Sequence, residues 1–474
     1  MAPIVRRGQA RRKGAGRRLC ARAAKAGMRK RLAASALIAS SWLSSIAVGV
    51  LVTAAAVASR MVRMPSVRVL RFLYTPRAGE VEEGLRERQD EAVAELCEHA
   101  GAMPVRLWWF TGDDQLYSAG ACGRRRTHAV WLHPATPRPL NDPRAPVHEQ
   151  HIRAAILVGG NGQSWCDMLE EAKFLLDQGL YVLALTLSGY PDPDEHYERT
   201  SRPQWTPTEA TMLADGVTAV RWLTGTLFAA CTSEGCEPLE HDRVYCDAPG
   251  ACHGTKRGLA PHEVLIEGHS LGSAFAHLLG AYYPEVAITA VQPLKSMASA
   301  GAFLAINTLA DALWKVCPVA GWRKRYVAAL RRPVSWAARG VALLAYKGEG
   351  LERWESVHRN VDYADPADEW EVGTRMRGLV GFNAERAVAM SVGPYCVIEA
   401  AKDNLMALQV DDDAAKPYVD NFGKDLVDAA KTAARELGFD RRVHKIRDQR
   451  AEHGTSYWCH KGTREKYAAW LARI

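Results

Sequence analysis

An α/β fold is what the amino-acid sequence predicts: a mostly parallel central sheet flanked by helices, over residues 105–474. Three observations point there. From residue 154 onward, short apolar runs alternate with segments of helical period. The runs are apolar at nearly every position, as strands covered on both faces must be. At the end of one run a serine stands between glycines where strand gives way to helix. With 48% hydrophobic and 24% charged residues, 38 Gly and 23 Pro, the composition is globular, which excludes a disordered chain, a collagen-like repeat and a multi-span membrane protein.

The front of the chain differs from the rest. Residues 1–31 carry 12 Lys and Arg and no acid, so the net charge of +8 hides a body at −4. A basic arm without aromatic residues to stack on bases is a poor nucleic-acid arm, and no nucleic acid is expected as a partner. Residues 32–59 follow, 28 positions without a charged side chain, enough for one bilayer span although serines thin the first half. Positive charge ahead of a span keeps the tail cytoplasmic and sets the body on the non-cytoplasmic side. The expectation is a single-pass membrane protein. Two alternatives stay open: a signal peptide cut after Ala56-Val57-Ala58 and secretion, or an organelle transit peptide. Residues 60–104 read as a linker with an exposed helix over Val81–His99.

The body then follows in order. Val105–Phe110, turned by Gly112-Asp113, and Ala129–His133 read as strands. Ala154–Val158 is a solid apolar strand, Met168–Gln178 a helix and Leu180–Leu187 a buried strand. Thr208–Leu223 has helical spacing at Ala210, Leu213, Val217 and Val220. Glu263–Glu267 is a strand, Leu271–Tyr283 a helix, and Val286–Val291 and Tyr395–Ala400 are strands. Asp425–Leu437 reads as a helix and Arg442–Ile446 as the last strand. Parallel sheets gather their chemistry at the carboxyl ends of their strands.

At one such end stands Gly268-His269-Ser270-Leu271-Gly272. A strand that turns within one residue into a helix holds the serine in a strained conformation, and glycines on either side let backbones pass without Cβ clashes. A serine hydroxyl needs a general base, and the base needs an acid to orient it. Asp403 follows the strand Tyr395–Ala400, and His453 follows the strand Arg442–Ile446, giving the order Ser, Asp, His. Asp411, Asp412 and Asp413 are rival acids, and His444 and His460 rival bases.

With Ser270 in G-x-S-x-G, Asp403 after the penultimate strand and His453 after the last, the region from Val105 onward resembles the α/β-hydrolase superfamily of serine esterases, lipases and thioesterases. The resemblance extends to Val158-Gly159-Gly160-Asn161-Gly162-Gln163, which looks like the family's oxyanion loop, and to Leu187-Ser188-Gly189-Tyr190-Pro191 after the fourth strand. It implies an oxyanion hole made by the backbone N–H groups of Asn161 and Leu271. The chain departs from the usual His-Gly by having Gly159-Gly160. Acyl transfer to water through an acyl-serine is the reaction implied, on a small-molecule or lipid acyl ester or thioester, with no metal or organic cofactor. A catalytically silent binding or scaffold protein, or an acyltransferase using the same serine, are the other classes in view.

Two insertions interrupt the body. Residues 228–260 hold Cys231, Cys236, Cys246 and Cys252 with His241 and His253. Two disulfides suit such an excursion in an oxidising compartment, ahead of free thiols, and the spacing is too loose for the usual zinc pairs. Residues 294–393 are longer than a crossover needs, and the resemblance implies that they form a helical cap insertion over the site. Between Ala312 and Gly348 it carries eight Lys or Arg and no acid, with Trp322, Tyr326 and Leu330 at helical spacing. A solvated helix is one outcome, and a lid resting on anionic lipid, a second membrane contact, is the other.

Because no expected strand or catalytic element lies in residues 1–59, deleting them releases the protein from membranes and leaves the body folded. Carbonate-washed membrane pellets and thermal melts check this. A truncated chain that stays in the pellet counts against the anchor.

Overall fold

The computed structural model describes residues 84–111, 125–142, 144, 146, 151–187, 209–225, 229–231, 244–246, 258–296, 299–300, 303, 307, 325, 329, 333, 336, 383–403, 422–455 and 457–474. The tail 1–31, the stretch 32–59, Ser188–Pro191, Asp411–Asp413, Cys236, Cys252, His241, His253 and most of the cap lie outside them. Among the described residues no helix is long and apolar enough to cross a membrane.

The elements run α1 (Leu85–Cys97), β1 (Val105–Thr111), β2 (Arg125–Leu132), β3 (Ala154–Val158), α2 (Leu169–Asp177) and β4 (Tyr181–Thr186). Then come α3 (Glu209–Leu223), β5 (Ala229–Cys231), β6 (Val244–Cys246), β7 (Val264–His269) and α4 (Leu271–Tyr282). The chain closes with β8 (Ala287–Val291), α5 (Ala384–Met390), β9 (Tyr395–Lys402), α6 (Phe422–Leu437), β10 (Val443–Glu452) and α7 (Lys461–Leu471).

The ten strands make one sheet in the order β10-β9-β8-β7-β3-β4-β2-β1-β6-β5. From β4 to β10 every neighbouring pair is parallel, and β2 joins β4 antiparallel. This mostly parallel sheet flanked by helices is the architecture the sequence predicts. Every residue of β3, β7 and β8 is buried, as the unbroken apolar runs require. The parallel run has a functional consequence. The carboxyl ends of β3, β7, β8, β9 and β10 share one edge, so the residues after Val158, His269, Val291, Lys402 and Glu452 meet there.

Five elements depart from the sequence expectation. The helix α1 is no exposed part of a linker: Ala92 and Leu96 are buried in the main core, and Arg88 reaches Asp167 at 3.3 Å. The short strands β5 and β6 add an edge to the sheet, β6 antiparallel on β1, and bring Cys231 opposite Cys246 in parallel register. Helix α5, inside the stretch assigned to the cap, packs against α4 and α6 and belongs to the body. Strand β10 runs on to Glu452, six residues past Ile446. It does so through an irregularity between Asp448 and Glu452, where the Asp448 carboxylate accepts the N–H groups of Arg450 and Ala451 at 2.9 and 3.2 Å.

Beneath the sheet lies a buried carboxyl group. Glu267 of β7 is 1% exposed and accepts the hydroxyls of Tyr457 and Tyr467. Burial outweighs those two bonds and pushes its pKa up to about 7, and that of buried Glu171 on α2 up to about 8. The folded state therefore keeps protons that the unfolded chain gives up near the ordinary glutamate value. Stability from Glu267 is fully present below about pH 4.5 and is lost as pH rises through about 7. Glu267→Gln should remove that part of the fall, gaining stability relative to wild type by on the order of 2–3 kcal/mol between pH 5 and 8. Urea unfolding across that range reads it. A wild-type-minus-variant difference that does not change with pH would exclude a protonated Glu267.

Candidate active site

Ser270 caps α4 with φ 52° and ψ −111°, a conformation that costs a non-glycine residue on the order of 1–3 kcal/mol. It persists because its surroundings fix it. The Ser270 N–H donates to Val291 O of β8 at 2.9 Å, and Ser273 N–H donates to Ser270 O at 3.0 Å. Two glycines make the turn possible. A Cβ on Gly268 would lie 1.9 Å from Gly272 O, and one on Gly272 would lie 2.3 Å from Val158 O and 2.5 Å from Gly159 O. Strand β7, helix α4 and the end of β3 therefore touch backbone to backbone at the serine.

Asp403 and His453 come together across 50 residues of chain: His453 Nδ1 lies 3.1 Å from both carboxylate oxygens of Asp403. The aspartate is almost fully buried, the histidine side chain 15% exposed. Such a carboxylate takes the Nδ1–H and leaves Nε2 bare, the form in which an imidazole accepts a proton. The His453 ring stacks beside that of His269, the residue before Ser270, with centroids 5.8 Å apart. Of the rival bases, His444 sits within β10 opposite Cys396, and His460 Nδ1 lies 2.8 Å from Asp448. The rival acids Asp411–Asp413 lie outside the described residues.

The loop after β3 lies against the same serine. A Cβ on Gly160 would stand 3.4 Å from the Ser270 Cβ. The Gly160 N–H donates to the Gln163 side-chain oxygen, which occupies that donor, while Gly162 turns the loop at φ 78°. Asn161 is exposed at the tip. Leu271 opens α4, where the N–H groups of the first turn have no acceptor within the helix.

Two site residues escaped the sequence. His269 is fully buried and held neutral, its pKa pulled down to about 4 by desolvation, with Gln292 2.9 Å away. Gln292 follows β8 at φ 48°. His269 fills the unspecified position before the serine of G-x-S-x-G, and Gln292 is a single polar residue at a strand end with no motif to mark it. The one available signal is position: a polar side chain directly after an apolar parallel strand falls on the edge where Ser270 also stands.

No family model matches the chain, and no curated protein matches it. Solved structures do. The esterase Pf2001 of Pyrococcus furiosus is 13% identical over 77% of this chain and 90% of its own, with TM-score 0.37. The alpha-beta hydrolase of Vibrio vulnificus is 14% identical over 86% and 92%, with TM-score 0.39. A puromycin-hydrolyzing peptidase of Mycobacterium tuberculosis is 12% identical over 73% of this chain and 37% of its own, with TM-score 0.36. At such identities and TM-scores these likenesses carry no functional weight.

The close approach at Gly272 has a direct consequence. Gly272→Ala forces α4 away from the end of β3, lowering stability by about 2–3 kcal/mol in urea unfolding. A variant as stable as wild type would mean the elbow is looser than these distances require.

Proposed function

We propose that this protein is a serine hydrolase of the α/β-hydrolase type, cleaving an acyl ester or thioester through an acyl-serine. Ser270 is the nucleophile, His453 the general base and later acid, and Asp403 the group that orients His453. What carries the proposal is the Asp403–His453 pair, 3.1 Å apart, on the strand edge that also bears a positive-φ serine at a helix N-terminus.

The chemistry follows from the parts. His453 Nε2 takes the Ser270 proton as Oγ attacks the acyl carbon, and Asp403 stabilises the imidazolium that forms. Negative charge then develops on the acyl oxygen. The backbone N–H groups of Leu271 and Asn161 bind it, since Gly160 N–H is already given to Gln163. The imidazolium protonates the leaving alcohol or thiol, and water drawn through the same histidine releases the acid. His269, buried and neutral beside His453, brings no second positive charge near the imidazolium.

The acyl group of a small molecule or a lipid is the proposed substrate, with membrane association through residues 32–59, the body on the non-cytoplasmic side and the basic cap as a second contact. Within the basic stretch Arg325 and Trp336 are exposed, the tryptophan at 81%, which suits a surface that meets lipid.

A fluorophosphonate probe reacts only with a serine that is both activated and served by an oxyanion hole. Wild type is expected to label and Ser270→Ala to lose all labelling at unchanged melting temperature. His453→Ala should lower ester hydrolysis by several orders of magnitude, because nucleophile and base act as a unit. Undiminished labelling of Ser270→Ala would end the assignment.

A further inference from the structure

Among the described residues two non-glycine positions have positive φ: Ser270 at 52° and Gln292 at 48°. The first is explained by the elbow. Gln292 has no part in the chemistry proposed above, yet it is 2% exposed and its backbone is pinned by an N–H bond to Ile398 O at 2.7 Å. Its side-chain amide is fully used. Nε2 donates to Glu452 O at 2.8 Å and to Thr455 O; Oε1 accepts the Gly454 N–H at 2.9 Å and lies 2.9 Å from His269 Nε2. An amide has two donor and two acceptor positions, and all four are taken.

Three of those partners, Glu452, Gly454 and Thr455, bracket His453 in sequence, and the fourth precedes Ser270. One side chain therefore ties the loop that carries the base to the elbow that carries the nucleophile. The tie is needed. Asp403 holds the His453 ring through Nδ1, whereas Gln292 holds the main chain on either side of it, and Gly454 beside His453 turns at φ 89°. The bonds also fix a tautomer. Since Oε1 only accepts, His269 carries its proton on Nε2, and burial keeps that ring neutral.

We infer that Gln292 is a positioning residue for the proposed hydrolysis: its amide sets the His453 loop against Ser270 and locks His269 as the Nε2–H tautomer beside the base. The inference rests on the serine-hydrolase proposal for its catalytic consequence, and on the hydrogen bonds alone for its structural one.

The test uses the full-length chain and two variants. Gln292→Met keeps the volume and removes all four bonds. Gln292→Glu keeps the shape but loses both donors and sets a carboxylate against the Glu452 and Thr455 carbonyls. With p-nitrophenyl acetate, kcat is expected to fall about 100-fold in each folded variant, the loss associated with about 1 Å of misplacement, with KM within about 3-fold of wild type. In Gln292→Glu the deficit relative to wild type should shrink on acidification, as the introduced carboxyl gains a proton and donates again. A merely structural glutamine would give no such recovery.

Imidazole 15N NMR supplies a readout that needs no turnover. Wild type should show His269 as neutral Nε2–H at pH 7 and a downfield Nδ1–H signal from His453. Gln292→Met should lose the His453 signal, and Gln292→Glu should protonate His269 at higher pH than wild type. A folded variant with kcat within about 3-fold of wild type overturns the inference. So does His269 appearing as Nδ1–H in wild type, an observation that stands even where both variants fail to fold. Failure of the hydrolase proposal looks different: wild type itself would neither label with fluorophosphonate nor hydrolyse the ester, and the NMR arm would still decide whether Gln292 holds the His453 loop.

Discussion

A serine at φ 52° between a strand and a helix forces three backbones into contact, and the site is built around that contact. Gly268 and Gly272 are not interchangeable with any other residue there, because a methyl on either would overlap a carbonyl of the neighbouring segment. Once α4 is seated against the end of β3, two consequences are automatic. The first turn of the helix begins beside the end of β3, where the Gly159–Gln163 loop starts, and Ser270 stands on the carboxyl edge of a parallel sheet. The bonds around the elbow hold the strained residue from both sides: Val291 O from the next strand, and Ser273 from the helix.

Elsewhere in the interior, several buried polar side chains meet partners of their own. Arg441 is buried without a carboxylate. Instead it donates to Gly393 O, Val388 O and Ser391 Oγ at 2.7, 2.6 and 3.0 Å, with the Tyr395 ring 5.3 Å below. Losing its proton would leave donors short, so it stays charged even though burial lowers its pKa to about 10. Asp448 serves the irregular end of β10 and also receives the Thr463 hydroxyl at 2.7 Å, which ties α7 to the strand that leads to His453. Glu267, by contrast, meets only hydroxyls, and their two bonds favour its charged form less than burial disfavours it, so its pKa is raised.

These side-chain solutions mark the limit of what the sequence discloses. Solid apolar runs such as Ala154–Val158 and Val286–Val291 announce buried parallel strands, and G-x-S-x-G between strand and helix announces the elbow. Asp403 and His453 are legible as a candidate pair because each follows a strand, and the structure sets them 3.1 Å apart. Polar stretches conceal the rest. Arg447-Asp448-Gln449-Arg450 reads as the end of a strand, yet the backbone continues because Asp448 supplies the acceptors that the ladder lacks. Helix α1 looks solvated because charges surround Ala92 and Leu96, and only the packing partner on the body distinguishes a half-buried helix from an exposed one. Residues 229–231 and 244–246 are too short to show a strand period at all, and they become strands by pairing, 244–246 with the edge of β1 and 229–231 with 244–246 in turn.

The proposed acid, Asp403, and the proposed base, His453, rest on unequal supports. Asp403 directly follows a strand that is buried up to Ala401 and is paired on both sides, with β8 and with β10, so the sheet determines its position. His453 follows a strand that has just lost its register, and the next residue is a glycine at positive φ. Within that loop Thr455 makes three bonds with Glu452, its N–H and its hydroxyl each donating to Glu452 O at 3.1 Å and its hydroxyl accepting the Glu452 N–H at 2.8 Å, which closes the turn on itself. Attachment has to come from outside the loop. A carboxylate can fix only the ring, through a single N–H, and a ring held at one atom can still swing with its backbone. A buried amide that grips the main chain on both sides of the histidine removes that freedom. The positive φ of Gln292 is then intelligible as the backbone conformation that turns a side chain at the end of β8 toward the neighbouring loop.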